Sequence, residues 1–425
     1  MASHDIEATA RTATSLWGTE GVHLAGSADA VDGHKPIAVL EPGDAATAAS
    51  MLHWADTERL TVIPRGAGTK LTWGSTPSSA DLVLSTVRLV AGVDHCPGDL
   101  TAILPAGASL ARVNELLGRE GQWLPLDPPQ SDRATIGGIV ATNDSGPRRH
   151  RYGTARDLII GIEMALVDGR TAKAGGRVVK NVAGYDLSRL LCGSFGTLAL
   201  VVSATFKLAP LPAASCTVVA TAGNAQRLGR LALAFAAVPL APSAVELDSP
   251  PARMLIRFET TPAAAEQQAA AACDLCKRHE APTTLLQGLV ERDAWRSYEA
   301  RLWDTEGTLL KIAVLPSHVG DLVDLIERAT ASHSVDYRVG GRAALGVLFL
   351  KLRGDVERHM EIVREVRQTA AARGGSAVLL STPVSTERRI DSWGEVGDSL
   401  RIMRAVKARF DPHGTLNPGR GPGGI

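Results

Sequence analysis

The residues best suited to do chemistry begin at Pro64. The run PRGAGTKL, residues 64–71, follows a short apolar stretch at 60–63 and precedes a second glycine-marked turn at Trp73-Gly74. A strand that ends in Pro and is followed by Gly-x-Gly-Thr offers consecutive backbone N–H groups unobstructed by Cβ atoms, a concave, partly positive surface suited to an oxygen-rich diphosphate. Arg65 and Lys70 are expected to add charge to it. Neither common phosphate signature fits: Leu71 stands where a dinucleotide fingerprint needs its third glycine, and no Gly-Lys-Ser/Thr follows as in a P-loop. An ordinary glycine turn between strands has the same composition.

A second stretch runs from Pro128-Pro129-Gln130-Ser131-Asp132 through Ala134-Thr135-Ile136-Gly137-Gly138 to the segment ATNDSGP at 141–147. Paired glycines flanked by Thr, Asn and Ser combine close backbone approach with short polar side chains, which suits a planar, multiply hydrogen-bonded ligand; a long surface loop is the alternative. Arg148, Arg149 and Arg151 would serve phosphate, an acidic substrate or plain solvation. His318 reads as a helix N-terminal residue, and His333, His359 and His413 are isolated in sequence. Arg338 and Arg342 flank Gly340-Gly341, with a turn bearing solvated arginines as the default and carboxylate binding as the alternative. Cys273 and Cys276 form C-x-x-C inside an Ala-rich helical run with no second pair, which favours small helix-face residues over a metal or redox site.

The chain that must position these residues has 425 of them, enough for two or three domains at ~150 residues each. Hydrophobic residues make up 45% and charged residues 21%, as in soluble globular proteins. Lys plus Arg equals Asp plus Glu at 45 each, so no global field recruits nucleic acid or an anionic membrane. Five scattered cysteines argue for reduced thiols in a cytoplasmic protein. The N-terminus has neither the basic region nor the apolar core of a signal peptide, and the apolar stretches at 197–206 and 231–240 fall short of the ~20 residues of a membrane helix. Membrane contact is therefore expected only through partners.

Periodicity predicts strands at 37–40, 60–63 and 82–84 with a helix at 45–58, then a strand at 100–104, a helix from Ser109 to Leu117, a strand at 122–126 and a hairpin that begins at 158–167 and turns at Asp168-Gly169. Beyond 212 a strand-helix-strand-strand-helix-strand order at 216–220, 225–236, 244–247, 254–258, 263–279 and 283–286 recurs at 309–315, 319–331, 335–339, 346–352, 356–372 and 377–380. Two ferredoxin-like βαββαβ units would put helices on one side of an extended antiparallel sheet. A last helix from Glu395 carries Leu400, Met403, Val406 and Phe410 on one stripe.

The sequence KNVAGYDLSRL at 180–190, followed by Gly193-Ser194-Phe195-Gly196-Thr197-Leu198, closely resembles the p-cresol methylhydroxylase (PCMH) type FAD-binding domain of the vanillyl-alcohol oxidase, or FAD-linked oxidase, superfamily. The loop at Pro64, the Thr-Ile-Gly-Gly segment and the closing FDPHGTLNPGR at 410–420 match in the same order, so the resemblance spans nearly the whole chain. Within it, Gly146-Pro147-Arg148-Arg149 before Arg156-Asp157, together with KNVAGYDLSRL, looks like the FAD-binding subunits of bacterial glycolate oxidases.

The resemblance implies an α+β fold: a two-subdomain FAD-binding domain at 1–212 (about 1–90 and 91–212), a duplicated ferredoxin-like cap at 213–385 whose open sheet face covers the flavin, and a segment at 386–425 returning to the FAD domain. By the same likeness, Arg65, Gly66, Ala67, Gly68, Thr69, Lys70 and Leu71 hold the FAD pyrophosphate. Pro128, Thr135, Ile136, Gly137, Gly138, Asn143 and Gly146 line the cofactor further along, Val201 and Val202 set main-chain groups against the adenine, and Asn417 and Arg420 return to it. No His sits in the glycine loop or beside the paired glycines, which implies non-covalent FAD, and Ala199 replaces a family glycine.

Catalytic members of the superfamily that oxidise 2-hydroxy acids carry a His-rich H-P-x-G-D-G-N-x-H pattern in the cap; this chain has none, and its catalytic residues stay unassigned. The implied activity is an FAD-dependent oxidoreductase acting on the CH–OH group of glycolate or a related 2-hydroxy acid. The implied setting is a cytoplasmic complex with a homologous FAD-linked oxidase subunit and an iron–sulfur subunit. A scaffold subunit without redox turnover and a self-sufficient oxidase remain open beside it.

Overall fold

The computed structural model describes residues 6–177, 184–304, 306–383 and 391–425; Lys180, Asn181, Val182 and Ala183 of the 180–190 motif lie outside the described residues. The chain divides into two compact units, one of Met1–Ser145, Thr154–Leu211 and Glu395–Ile425, the other of Gly146–Gly153 and Pro212–Gly394.

Among the described residues, the first unit contains two larger sheets and one short two-stranded pairing. In one, Ala38–Leu40, Leu82–Ser85 and Val62–Arg65 run parallel, and Val22–Leu24 adds an antiparallel edge. Parallel strands need a crossover, and the helix Ala45–Thr57 supplies it, started by Asp44, whose carboxylate accepts from the Thr47 amide at 2.7 Å. Met51, Leu52 and Ala55 of that helix are buried against the sheet. An N-terminal helix, Ile6–Gly21, joins this core without having been expected; Ala13 is buried there, and Trp17 meets Trp54 edge to face at 5.4 Å.

The other sheet is antiparallel, in the order Asp94–Cys96, Thr101–Pro105, Leu200–Lys207, Ile159–Ala165, Thr171–Gly175. The expected hairpin is its outer pair, turning at Gly169, whose φ of 86° suits a residue without Cβ. Ser109 caps the helix Leu110–Gly118 as expected. The strand expected at 122–126 shrinks to Gln122–Trp123, paired with Ala209–Pro210; Leu124 bonds instead to the Asn114 side chain, which interrupts the ladder. After the helix Ser399–Phe410, the closing segment lies beside Val62: the Val62 amide donates to Thr415 O at 2.7 Å, and the Asn417 amide donates to Val62 O at 2.9 Å.

The second unit carries the duplication. All eight strands share one antiparallel sheet, ordered Thr283–Gln287, Ala214–Thr221, Arg253–Thr260, Ala244–Ser249, Asp336–Arg342, Val347–Arg353, Thr308–Ala313, Ser376–Ser381. Each half has the ferredoxin-like order, and the halves meet where Glu246 pairs with Arg342 and Leu247 with Gly341. Val218, Ile256, Phe258, Leu310 and Leu350 alternate onto one face under the helices, each such side chain contributing roughly 1.5–3 kcal/mol by leaving water. The helices Ala225–Ala237 and Val319–His333 cross at paired glycines, since a Cβ on Gly229 would lie 2.8 Å from the Gly320 Cα.

Sequence periodicity missed the helix Gly288–Leu302, which packs Trp295, Tyr298 and Leu302 on the opposite face of the sheet. That helix corrects the reading of Gly340-Gly341 as a turn with solvated arginines. Both glycines lie in a strand, where a Cβ at 340 would strike Leu302 at 2.4 Å, and Arg342 is buried at 3% side-chain exposure.

His359, fully buried on the helix Val356–Ala372, bonds through Nδ1 to Thr308 Oγ1 at 3.1 Å, while its Nε2 has no partner. Burial lowers its pKa, so the ring is held neutral and the unfolded chain binds the proton more readily. Its contribution to stability is complete above the ordinary histidine pKa of ~6.5 and is lost as pH falls through the folded value. Thermal melts between neutral and mildly acidic pH should therefore show a smaller loss of midpoint in His359→Gln than in the parent; equal slopes would contradict this role.

Candidate functional site

The site is built around the end of the strand Val62–Arg65. Its ladder with Leu82–Ser85 closes where the Thr86 amide donates to Arg65 O at 2.9 Å, and the chain then leaves the sheet. Gly68, at φ 74°, turns it back, and the Leu71 amide donates to Gly68 O at 3.2 Å. Between these bonds, the amides of Gly66, Ala67, Gly68, Thr69 and Lys70 find no acceptor among the described residues. They line a concave cleft together with Thr135, Gly138, Ala141, Thr142, Phe195, Gly196, Asn417 and Arg420. A neighbouring cavity shares Pro64, Arg65, Gly66, Gly138, Ala141 and Gly196, and adds Thr86, Gly137 and 199–201.

Close backbone approach explains the glycines. A Cβ on Gly66 would fall 2.1 Å from Thr135 Oγ1, and one on Gly137 would fall 2.9 Å from the Ala106 Cβ. Thr135 is fixed as the N-cap of the helix Ile136–Thr142, accepting from the Gly138 amide at 3.4 Å. The loop thus presses against the cap of the next element, with glycine as the residue that permits it.

The side-chain charge expected of the loop is neutralised locally. Arg65 Nη1 meets Asp29 Oδ1 at 2.8 Å. Lys70 Nζ, on a side chain only 7% exposed, donates to Pro129 O at 2.6 Å and lies 3.2 Å from Asp144 Oδ2. Arg420 Nη1 donates to Leu71 O at 2.8 Å and Trp73 O at 3.0 Å, with Asp32 at 3.0 Å. It ties Leu71 and Trp73 together at the cleft wall. Burial raises the Asp32 carboxyl pKa against the opposing pull of Arg420, whereas at Asp29 burial is outweighed by the Gly26 amide and Arg65, which lower it. The attraction left for an anion comes from the five amides.

Asn417 brings an unpaired polar atom to the same cleft. Its Nδ2 donates to Phe195 O at 2.6 Å, but its buried Oδ1 has no hydrogen-bond partner and needs a donor. Gly196 gives it room, since a Cβ there would lie 3.3 Å from both Asn417 Nδ2 and Pro64 Cγ. FAD matches this set: diphosphate oxygens accept from a row of amides, and ribityl hydroxyls or ring N–H groups donate to a free carbonyl.

Of the residues singled out in the sequence, 65–71, Thr135, Gly138, Asn417 and Arg420 converge on the cleft, and Gly137 and Val201 reach the neighbouring cavity. The others lie elsewhere. Pro128 is buried, and the Ile136 side chain enters the core while its amide donates to Ala108 O. Asn143 ends its helix at φ 47° and accepts from the Arg156 amide, and Val202 is buried with its carbonyl taken by the Ala106 amide. Gly146 belongs to the second unit, where its carbonyl accepts from Arg342 Nε at 3.0 Å.

Phe195 and Gly196 were missed as lining residues although they sit in the GS-x-GTL pattern; positive φ values of 54° and 67° are what that pattern encodes. His318 starts the helix Val319–His333 as expected, and His413 bonds to Asp56 at 3.0 Å. Cys276 is buried on the helix Pro262–Arg278, and burial pushes its thiol up to about 12.

Comparison with known proteins agrees with this geometry. The FAD binding domain family matches residues 36–175, and the C-terminal domain of FAD linked oxidases matches 392–420. Across 99% of the chain and 97% of the other protein, the structure superposes on p-cresol methylhydroxylase with a TM-score of 0.79 at 13% identity. The chain has the fold of the PCMH-type FAD-linked oxidases. Glycolate oxidase subunit GlcD of Bacillus subtilis is 28% identical over 91% of this chain and 88% of its own length. Glycolate oxidase subunit GlcE of Escherichia coli is 40% identical over 29% of this chain and 35% of its own. D-lactate dehydrogenase of Archaeoglobus fulgidus is 36% identical over 40% of this chain and 38% of its own. By sequence and fold this is an FAD-dependent oxidoreductase.

Gly68→Asp would set a carboxylate beside the five amides and is expected to reduce copurifying FAD at least tenfold, with far-UV circular dichroism unchanged. Gly66→Val should lose flavin by the other route, displacing the loop from Thr135. Stoichiometric FAD in both variants would contradict the assignment of this cleft.

Proposed function

We propose that this chain is the FAD-binding subunit of a 2-hydroxy-acid dehydrogenase of the glycolate oxidase kind. The observation that carries the reading is the row of five unbonded amides in a cleft that Asn417, with its buried and unpaired side-chain carbonyl, also lines. In this reading the amides of 66–70 hold the FAD diphosphate, Thr135 and Gly138 support the adjoining part, Val201 lies toward the adenine, and Asn417 orients the ring or ribityl end. Arg420 holds the end of the loop through Leu71 and Trp73. When bound, FAD supplies the two-electron chemistry that takes an alcohol to a carbonyl, and the protein supplies position and electrostatics.

The flavin is non-covalent in this proposal. A covalent link needs a nucleophilic side chain, and among the described residues the linings of the two cavities include no His, Cys or Tyr. In the proposed setting, substrate oxidation is shared with a homologous FAD-linked oxidase subunit, with electrons passed to an iron–sulfur subunit, in the cytoplasm or at the inner membrane face through those partners. The likeness to both glycolate oxidase subunits supports such a complex. No helix among the described residues is long and apolar enough to cross a membrane.

The purified chain should be yellow and release free FAD on denaturation. Alone, it should bleach slowly or not at all with glycolate or D-lactate under anaerobic conditions, and bleach within one turnover once copurified with its partners. Rapid bleaching of the isolated chain would establish a self-sufficient oxidase. A folded, colourless chain that activates the complex would establish a scaffold.

A further inference from the structure

The two edges of the eight-stranded sheet are finished differently. At one end, the Leu379 amide of Ser376–Ser381 donates to Ser392 O at 2.7 Å, and Arg367 reaches the same carbonyl, so the chain covers that edge itself. At the other end, Thr283–Gln287 pairs on one side only, with Ala214–Thr221. The Thr221 amide donates to Pro282 O at 2.9 Å, which sets the phase of the ladder. Thr284 and Leu286 then turn their main-chain groups toward the sheet, while Thr283, Leu285 and Gln287 turn theirs outward, where no strand meets them among the described residues.

Exposed edges are usually blunted by charge, proline, a bulge or a covering segment, because unpaired N–H and C=O groups recruit other strands. This edge reads Thr-Thr-Leu-Leu-Gln, with no charge and no proline. Leu285 is 49% exposed at its centre, and Leu289 and Val290, just beyond, are 68% and 63% exposed.

The five residues are also complementary to themselves. Run antiparallel against a second copy with Leu285 opposite Leu285, Thr283 faces Gln287 and Thr284 faces Leu286. The outward groups of 283, 285 and 287 then meet their counterparts in about six main-chain hydrogen bonds. The two Leu285 side chains become direct cross-strand neighbours on one face, the kind of apolar pair that stabilises a sheet. A formal net charge of zero gives two copies no overall repulsion. The fold already uses this construction once, where Ala244–Ser249 and Asp336–Arg342 join the two ferredoxin-like halves edge to edge.

We propose that Thr283–Gln287 is a homodimer edge, pairing antiparallel with the same strand of a second copy about a two-fold axis at Leu285. The occupant is a second copy because the register closes on itself and places an exposed apolar residue on the axis. A continuous sheet would then run through both cap units.

Sedimentation velocity on the full chain with FAD bound, over a wide concentration range, is the test. The parent should dimerise. Leu285→Lys, which sets two ammonium groups against each other on the axis, should raise the dimer dissociation constant at least tenfold with flavin content and circular dichroism unchanged. Leu285→Cys should form a disulfide-linked dimer under mild oxidation, because opposed residues of a hydrogen-bonded antiparallel pair have Cα atoms about 5.5 Å apart, within disulfide reach. Thr284→Cys, which faces Leu286 in the dimer, should not cross-link. A monomer at every concentration would overturn the proposal, as would a dimer indifferent to Leu285→Lys or an edge occupied only by a different subunit.

Discussion

Five main-chain amides held open by a short loop are the feature on which the rest of the first unit depends. Left in water they are ordinary donors; turned together into a cleft they become an anion site whose charge does not depend on pH. Keeping them there requires that nothing in the chain itself satisfy them. The strand Val62–Arg65 ends its ladder just before them, Gly68 turns the chain, Gly66 lets the loop lie against Thr135, and Arg420 ties Leu71 and Trp73 together.

That dependence explains why the C-terminal segment returns to the first unit. Val62 and Thr415–Asn417 exchange backbone hydrogen bonds, Lys407 Nζ gathers Thr197 O, Leu416 O and Asp411, and Asn417 reaches Phe195 O. Burial lowers the Lys407 pKa against the pull of Asp411, a cost accepted to fix three segments at one point. Residues more than two hundred positions apart in sequence therefore set the geometry of one cleft.

Sequence patterning made the architecture legible wherever a local rule governed it. Both βαββαβ halves, the Ser109 cap and the Gly169 turn follow from periodicity and turn chemistry. What stayed hidden was set by tertiary neighbours. Gly340-Gly341 looked like a turn because nothing nearby in sequence announces that Tyr298 and Leu302 need the space. Lys70 looked like a phosphate ligand because Asp144, its ion-pair partner, is far along the chain. Ile136 and Val202 sit inside motifs whose glycines and main chain shape the cleft, but their own side chains face the core.

A titration of the flavin-free protein with FAD, FMN and riboflavin, followed by flavin fluorescence, tests the central claim most directly. If the amides of 66–70 grip a diphosphate, FAD should bind at least a hundredfold more tightly than riboflavin, with FMN well short of FAD. Equal affinities for the three would mean that the ring alone is recognised, and would contradict the account.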